Sequence, residues 1–485
     1  MNYRLIAKYI GHIMFVEGIL MLPALGIALY KGESAAAHSF FATALVLILT
    51  GLALSHIKQR NGSIFSREGF LIVALSWITM SVFGALPFYL SDSIPSLLDS
   101  IFEAVSGFTT TGASILTDVE ALPMSMLYWR SFTHWVGGMG VLVFVLAIAP
   151  AAKETGGSIR ILRAESPGPS VGKLVPKLRH TARILYLMYI FLTVIEIIFL
   201  LAGRMPVFDS ITNAFGTAGT GGFAIKNASI AYYDSAYVDA VIGTFMFIFG
   251  VNFNIYYMLL VRDFRSVFKD TELRVYLGIA AISITLIAIN TYSMFGSVGQ
   301  TLRHSFFQVS SIMTTTGFAT TNFDTWPQFS RVLLLLLMVV GSCAGSTAGG
   351  VKVARLVIFI KSLRNSVHKM LHPRSVKLLK MDGKTIDADT VAEVNAYLVI
   401  YVFILAASVL IVSIDNYSFD TSVSGVLACL NNIGPGLDVV GPVGNYSSFS
   451  FLSKLVLIAD MLFGRLEIFP MLLMFAPSVW RRRSR

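Results

Sequence analysis

The chain has 485 residues, 55% of them hydrophobic and only 13% charged, about half the charged share of an ordinary soluble domain. With a mean hydropathy of +0.72, that balance excludes a soluble globular protein and points to a polytopic membrane protein whose spans satisfy their own backbone as helices. The net charge of +10 does not signal nucleic-acid binding, because the basic residues sit in short clusters between apolar runs, and the only two cysteines, Cys343 and Cys429, argue against a disulfide framework or a cysteine metal site.

The first apolar run, residues 5–30, follows Arg4 and Lys8 in the manner of a signal peptide. It is too long for the apolar region of a signal peptide and lacks a small-residue cleavage site, so it reads as a retained first span. Further apolar runs lie near 37–57, 70–90, 122–150, 182–202, 236–261, 275–295, 329–360, 390–413 and 450–480, giving ten candidate spans. The runs 122–150 and 329–360 exceed the ~20 residues a crossing needs. Both carry glycine clusters (Gly137, Gly138 and Gly140; Gly341, Gly345, Gly349 and Gly350), which predict breaks or bends.

Lysine and arginine set the orientation. With the N-terminus cytoplasmic and the sides alternating, 29 of the 37 basic residues fall on the cytoplasmic side, including the clusters 153–183 and 352–384 and the RRRSR tail at 481–485. Both termini are therefore expected in the cytoplasm.

The outer connections 91–121, 203–235, 296–328 and 414–449 are unusual, because each starts apolar and then turns rich in Gly, Thr or Asn. Such segments are too short to span and too apolar for solvated loops, so re-entrant half-helices fit them. Aligned, they form an internal repeat: SLLDSIFEAVSGFTTTGAS, VFDSITNAFGTAGTGGFAI, TLRHSFFQVSSIMTTTGFAT and FDTSVSGVLACLNNIGPGL. Their glycines, Gly112, Gly222, Gly317 and Gly434, recur at intervals of 110, 95 and 117 residues. The repeating unit is span, half-helix, glycine strand, span. It occurs four times behind an extra pair of spans.

Glycine strands of this kind have a specific use. Four of them around one axis would form a ring of carbonyl oxygens able to replace the hydration shell of a monovalent cation. The negative C-terminal ends of the half-helices favour a cation there, and neighbouring threonine hydroxyls add neutral oxygens. An oxygen-only site suits alkali ions rather than soft metals. For any one segment, close helix packing is the better account of its Gly, Ser and Thr. Four segments in register with the span pattern favour the pore.

The residues then resemble a family. SREGFLIV (66–73), SGFTTTGAS (106–114), GGMG (137–140), RAESPGP (163–169), TTTGF (314–318), GSCAGSTAGG (341–350), LNNIGPGL (430–437) and MLFGRLEIFP (461–470) resemble the Trk/Ktr/HKT superfamily of potassium transporters, most closely the bacterial TrkH/TrkG branch, over nearly the full length. The resemblance implies an all-α membrane protein with four pseudo-fourfold pore repeats around one pore and two N-terminal transmembrane helices. On the span pattern, residues 1–60 form that N-terminal pair. The pore repeats are 66–152, 181–262, 272–361 and 390–480, and 153–180, 362–389 and 481–485 are basic cytoplasmic segments.

By the same resemblance, the selectivity filter comprises Thr110, Thr111 and Gly112; Thr220, Gly221 and Gly222; Thr315, Thr316 and Gly317; and Asn432, Ile433 and Gly434. Potassium is expected at Thr111, Gly112, Gly221, Gly222, Thr316, Gly317, Ile433 and Gly434. The second repeat reads GTGGF where the third reads TTTGF, which leaves Gly221 and Gly222 as alternatives, the shared Gly-Phe pair favouring Gly222. Below the filter the resemblance implies a gate in the broken third-repeat helix, at Gly341, Gly345, Ser346, Thr347, Gly349 and Gly350. A run of small residues unwinds at low cost, although it also suits close helix packing. Arg465, deep in the last span, is implied as an electrostatic barrier; the competing account pairs it with Glu467 or Asp460. His134, His304 and Glu103 read as packed polar residues rather than a proton relay.

The implied activity is potassium uptake across a bacterial cytoplasmic (inner) membrane, as the translocating subunit of a Trk-type system. Implied partners are K⁺, a second copy in a homodimer, cytosolic nucleotide-binding TrkA-like regulatory subunits, and membrane lipid. No covalent cofactor, nucleic-acid partner or enzymatic motif is expected. Two other readings are a secondary transporter of another solute and a sodium-permeable cation transporter.

Overall fold

The computed structural model describes residues 2–57, 66–140, 178–375 and 378–477. The RAESPGP motif, residues 153–177 of the basic segment around it and the arginine tail lie outside the described residues, whereas 178–180 already belong to a helix. The described part is helical apart from a two-residue hairpin, Lys380–Met381 against Lys384–Thr385, formed inside the basic segment expected at 362–389. Asp382 and Gly383, both at positive φ, make its turn, the Asp-Gly pair being a strong hairpin signal.

The N-terminal pair consists of α1 (Tyr3–Leu20), continued by α2 (Leu22–Lys31), and α3 (Ser34–Ser55). They approach closely at small residues: a Cβ added at Gly11 would lie 2.5 Å from Leu54 Cβ, and one at Gly51 2.5 Å from the Phe15 nitrogen. Between α2 and α3, Glu33 accepts from the backbone N–H groups of Met124 (2.8 Å) and Ser125 (3.1 Å). It thereby satisfies two of the orphan donors at the start of a helix in the first repeat.

Four repeats follow. The first has a long helix α4 (Ser66–Leu90), a half-helix α5 (Leu97–Phe108) and α6 (Met124–Gly138). The second has α7 (Leu178–Ala202), half-helix α8 (Val207–Gly219), then α9 (Ala236–Phe249) and α10 (Phe253–Leu260), with the short α11 (Phe264–Lys269) leading on. The third has α12 (Thr271–Phe295), half-helix α13 (Val298–Met313), then α14 (Gln328–Val340) and α15 (Val353–Leu371). The fourth has α16 (Ala388–Val412), half-helix α17 (Phe419–Leu430), then α18 (Phe451–Arg465) and α19 (Phe469–Phe475).

The half-helices start where their sequence says they should. Ser96, Ser297 and Ser418 cap α5, α13 and α17 through hydrogen bonds to Asp99, Gln300 and Thr421 nitrogens. Asp99, Asp209 and Asp420 stand in the first turns of α5, α8 and α17, matching the positive end of each helix dipole.

Of the ten apolar runs, six helices among the described residues are long and apolar enough to cross a membrane, or seven if one bent pair counts as a span. The difference lies in the closing helices of the repeats; the run 122–150 lies outside the described residues from 141 onward. The runs 236–261 and 450–480, each read as one candidate span, are interrupted. The first bends by 90° between Phe249 and Phe253. The second breaks at Glu467 and Ile468, both at positive φ. The break at 341–352 falls on the glycine run expected to cause it, with Gly341, Gly345, Gly350 and Lys352 all at positive φ.

Candidate functional site

The four half-helices end in one and the same way. Beyond α5, α8, α13 and α17 the N–H of Thr111, Gly221, Thr316 and Ile433 reaches back five residues to a helix carbonyl, at 2.8, 2.9, 2.8 and 2.8 Å. That bond belongs to the Schellman ending, in which one residue takes the left-handed conformation. Here the left-handed residues are Thr110, Thr220, Thr315 and Asn432, at φ +55°, +54°, +55° and +55°. Two residues further on come Gly112, Gly222, Gly317 and Gly434, at φ +80°, +71°, +91° and +96°. The sequence alternative in the second repeat therefore has a structural answer at the level of backbone register. Gly222 shares the left-handed position of the other three glycines, and Gly221 corresponds to Thr111, Thr316 and Ile433.

The turns meet in a closed circuit. A Cβ on Gly112 would overlap the Gly221 carbonyl oxygen, one on Gly222 that of Thr316, and one on Gly317 that of Ile433; one on Gly434 would lie 2.7 Å from the Thr111 oxygen. First repeat touches second, second third, third fourth, and fourth first. The four backbones close around a common centre with no room for side chains at the glycines, and their positive φ is unfavourable for any L-residue.

Gly221 breaks the sequence pattern for a local reason. A Cβ there would run into the ring of His134. His134 packs against Phe223, with ring centroids 4.2 Å apart and the planes tilted by 31°, and its Nδ1 lies 2.7 Å from the Gly107 carbonyl. It is a buried wedge between the first two turns. Glu103 and His304 are likewise engaged: Glu103 pairs with Arg130 and accepts from Ser114, and His304 Nδ1 lies 3.1 Å from Thr320 Oγ1.

Not every threonine hydroxyl beside a glycine is free to face the centre. Thr109 and Thr111 hydroxyls bond each other at 2.8 Å, as do those of Thr314 and Thr316. Thr315 Oγ1 accepts from the Gly349 N–H at 2.6 Å, and Thr110 Oγ1 accepts from Arg465 Nη1 at 3.2 Å.

Those last two donors belong to the layer just beneath. The 341–352 segment lies under the ring: a Cβ on Gly349 would overlap the Asn431 carbonyl oxygen and lie 3.1 Å from Asn432 Cβ. The segment docks into the bend of the second repeat, where Cys343 N donates to Gly250 O (3.1 Å) and Phe253 N donates to Gly345 O (3.0 Å). Thr347 Oγ1 donates to Phe249 O, and Ser346 Oγ to Cys343 O within the segment. Arg465 donates to the carbonyls of Thr347 (2.8 Å), Gly138 (2.8 Å) and Gly137. The acids weighed as its partners are occupied elsewhere: Glu467 pairs with Arg355, and Asp460 accepts from Ser408.

Sequence reasoning missed how the segment is fastened. Glu272, in the first turn of α12, accepts from the backbone N–H groups of Ala344 (2.6 Å) and Ala354 (3.0 Å) and so holds both shoulders of the break. Lys352 Nζ donates to the Ala348 carbonyl. A lone acid behind an Asp270 cap looks like any helix-start carboxylate, so no local signal marks Glu272.

Four re-entrant half-helices closing a ring of backbone turns over an unwound segment define a membrane protein of the pore-forming transport class. Comparison gives the family: residues 36–482 match TrkH, described as a cation transport protein, and the chain belongs to that family, one of transporters rather than enzymes. It is 36% identical over 492 residues to the Trk system potassium uptake protein TrkH of Salmonella typhimurium, covering 99% of this chain and 100% of that protein. It is 31% identical to the Trk system potassium uptake protein TrkG of Escherichia coli K12, over 99% of each. The crystal structure of the potassium transporter TrkH from Vibrio parahaemolyticus matches with a TM-score of 0.87 at 31% identity, over 99% of this chain and 100% of that one.

Proposed function

We propose that the chain is the translocating subunit of a Trk-type potassium uptake system in a bacterial cytoplasmic membrane, with both termini in the cytoplasm. The observation that carries this reading is the closed circuit of Gly112, Gly222, Gly317 and Gly434 against Gly221, Thr316, Ile433 and Thr111. Carbonyls of Thr111, Gly112, Gly221, Gly222, Thr316, Gly317, Ile433 and Gly434, with the layer of Thr110, Thr220, Thr315 and Asn432 below, replace the water around a bare K⁺. The half-helix C-termini add negative potential at the same point. The potassium uptake named for the relatives supports the choice of ion.

The segment Gly341–Gly350, with Ser346 and Thr347, acts as the gate. It blocks the path under the ring, and Arg465 adds a positive charge where a cation would leave. Opening withdraws the segment from the Gly250 bend. The protein works as a homodimer with one pore per subunit, and the cytosolic basic segments dock TrkA-like nucleotide-binding regulators beside anionic lipid.

Rubidium uptake into proteoliposomes holding the full chain tests the function. Saturable Rb⁺ entry that K⁺ displaces more strongly than Na⁺ is expected. No Rb⁺ entry with regulator and ATP present would overturn it.

A further inference from the structure

The left-handed residue of a Schellman ending is usually glycine, because a β-branched residue at positive φ is strained. This chain puts threonine there three times and asparagine once, each at φ +54° or +55°. The side chains explain the choice. Thr315 Oγ1 receives the Gly349 N–H of the unwound segment at 2.6 Å. Thr110 Oγ1 receives Arg465 Nη1 at 3.2 Å, and the same nitrogen bonds the Thr347 carbonyl of that segment at 2.8 Å. Asn432 Nδ2 reaches Met461 O on the helix that carries Arg465, and Thr111 Oγ1 in the next turn, both at 2.9 Å. Only Thr220 turns back on its own helix, donating to the Gly219 carbonyl.

Two of the four strained residues, Thr110 and Thr315, are thus tied from below to the parts read as the gate, and each is the immediate neighbour of a carbonyl in the ring. Strained backbone of this kind persists only where its surroundings hold it. Withdrawing the segment removes the donor to Thr315, and displacing Arg465 removes the donor to Thr110. We infer that Thr110 and Thr315 are positioning residues that couple the gate to the filter, so that the hydrogen bonds closing the conduction path also hold the innermost carbonyl layer in register. The inference rests on the filter and gate reading above. Its consequence is that ion discrimination is sharpest while the segment is docked and relaxes as it leaves.

The test uses the full chain in proteoliposomes, with Rb⁺ entry and its competition by K⁺ and Na⁺ as readouts. Thr315→Val keeps the shape and the branched Cβ but removes the acceptor; Thr315→Ser keeps the acceptor. The valine variant is expected to raise Rb⁺ entry in the absence of regulator about fivefold, as for one lost net hydrogen bond, and to strengthen Na⁺ competition, with serine returning both toward the parent. Thr110→Val and Thr110→Ser carry the same expectation. With residues 345–349 deleted, Thr315→Val should add nothing further.

Faster entry with unchanged Na⁺ competition in the valine variants would overturn the coupling, as would no change in either. Gly317→Ser in the same assay separates this from failure of the underlying reading. If it relaxes discrimination while the valine variants do not, only the coupling falls; if it too changes nothing, the filter reading falls. Should the valine variants fail to assemble, Arg465→Met removes the donor to Thr110 with both threonines intact. It must then relax Na⁺ discrimination, and unchanged discrimination there overturns the coupling.

Discussion

Arg130 and Glu103 form an ion pair of 2.6 Å in which the two side chains are 3% and 0% exposed. Each partner also holds a strand that rises from the ring. Glu103 accepts from Ser114 Oγ (3.0 Å) and the Ile115 N–H (3.0 Å), and Arg130 donates to the Ala224 carbonyl at 2.8 Å. The Arg130 guanidinium also covers the Phe223 ring, 3.5 Å from its centroid. The pair therefore braces the first two turns from behind.

Removing one member leaves a buried uncompensated charge, which costs about 3–5 kcal/mol. Arg130→Met and Glu103→Gln should each lower the thermal unfolding midpoint of the purified protein and weaken Na⁺ discrimination. The double variant should lose less than the two singles combined. Additive losses in a double-mutant cycle would show that the pair acts as two independent contacts.

The ring glycines differ in how much room they have. Added Cβ atoms at Gly112, Gly222 and Gly317 overlap a neighbouring carbonyl, whereas the one at Gly434 stands 2.7 Å away. Gly112→Ser should relax discrimination against sodium, measured as Na⁺ competition with Rb⁺ entry. Alanine should be tolerated best at Gly434. An alanine series in which Gly434 is the most damaging position would contradict the packing argument.

His134 fills the space a side chain at Gly221 would need. Gly221→Ala should therefore lower yield and thermal stability on its own, by about 1–3 kcal/mol for overpacking. Combining it with His134→Ala should recover part of that loss, despite the missing bond to Gly107 O. No recovery in the pair would mean that the ring is not the obstacle.

Glu272 fastens both shoulders of the unwound segment through Ala344 and Ala354. Glu272→Ala should leave those N–H groups without their acceptor and raise Rb⁺ entry in the absence of regulator. Arg465→Ala should do the same through loss of its bonds to Thr347, Gly137 and Gly138. Wild-type flux from a well-folded Arg465→Ala protein would remove the arginine from the gate.

Much of this architecture is legible in the sequence because it depends on local chemistry. Serine caps and first-turn aspartates mark where half-helices start, the glycines that follow mark where they end, and the small residues of 341–350 let the helix unwind at low cost; the left-handed Thr110, Thr220, Thr315 and Asn432 carry no such signal. The bend at 250–252 was hidden because it sits inside a predominantly apolar run, where Gly250 and Asn252 alone do not mark a break. The break at Glu467 and Ile468 was hidden because neither residue type favours positive φ; Arg355 and the packing around it hold that turn. Partners far apart in the chain, such as Glu103 with Arg130, Glu272 with Ala344, and Arg465 with Thr110, carry no periodic signal. For Arg465 the competing sequence account named the nearby acids Glu467 and Asp460, whereas the fold supplies carbonyls from other repeats.

The most direct test is the anomalous density of Rb⁺ or Cs⁺ in crystals of the protein grown with either salt. The account predicts peaks on the axis between the backbone oxygens of Thr111, Gly221, Thr316 and Ile433 and those of Gly112, Gly222, Gly317 and Gly434. A pore axis empty of heavy ion, with the peaks elsewhere in the molecule, would contradict it.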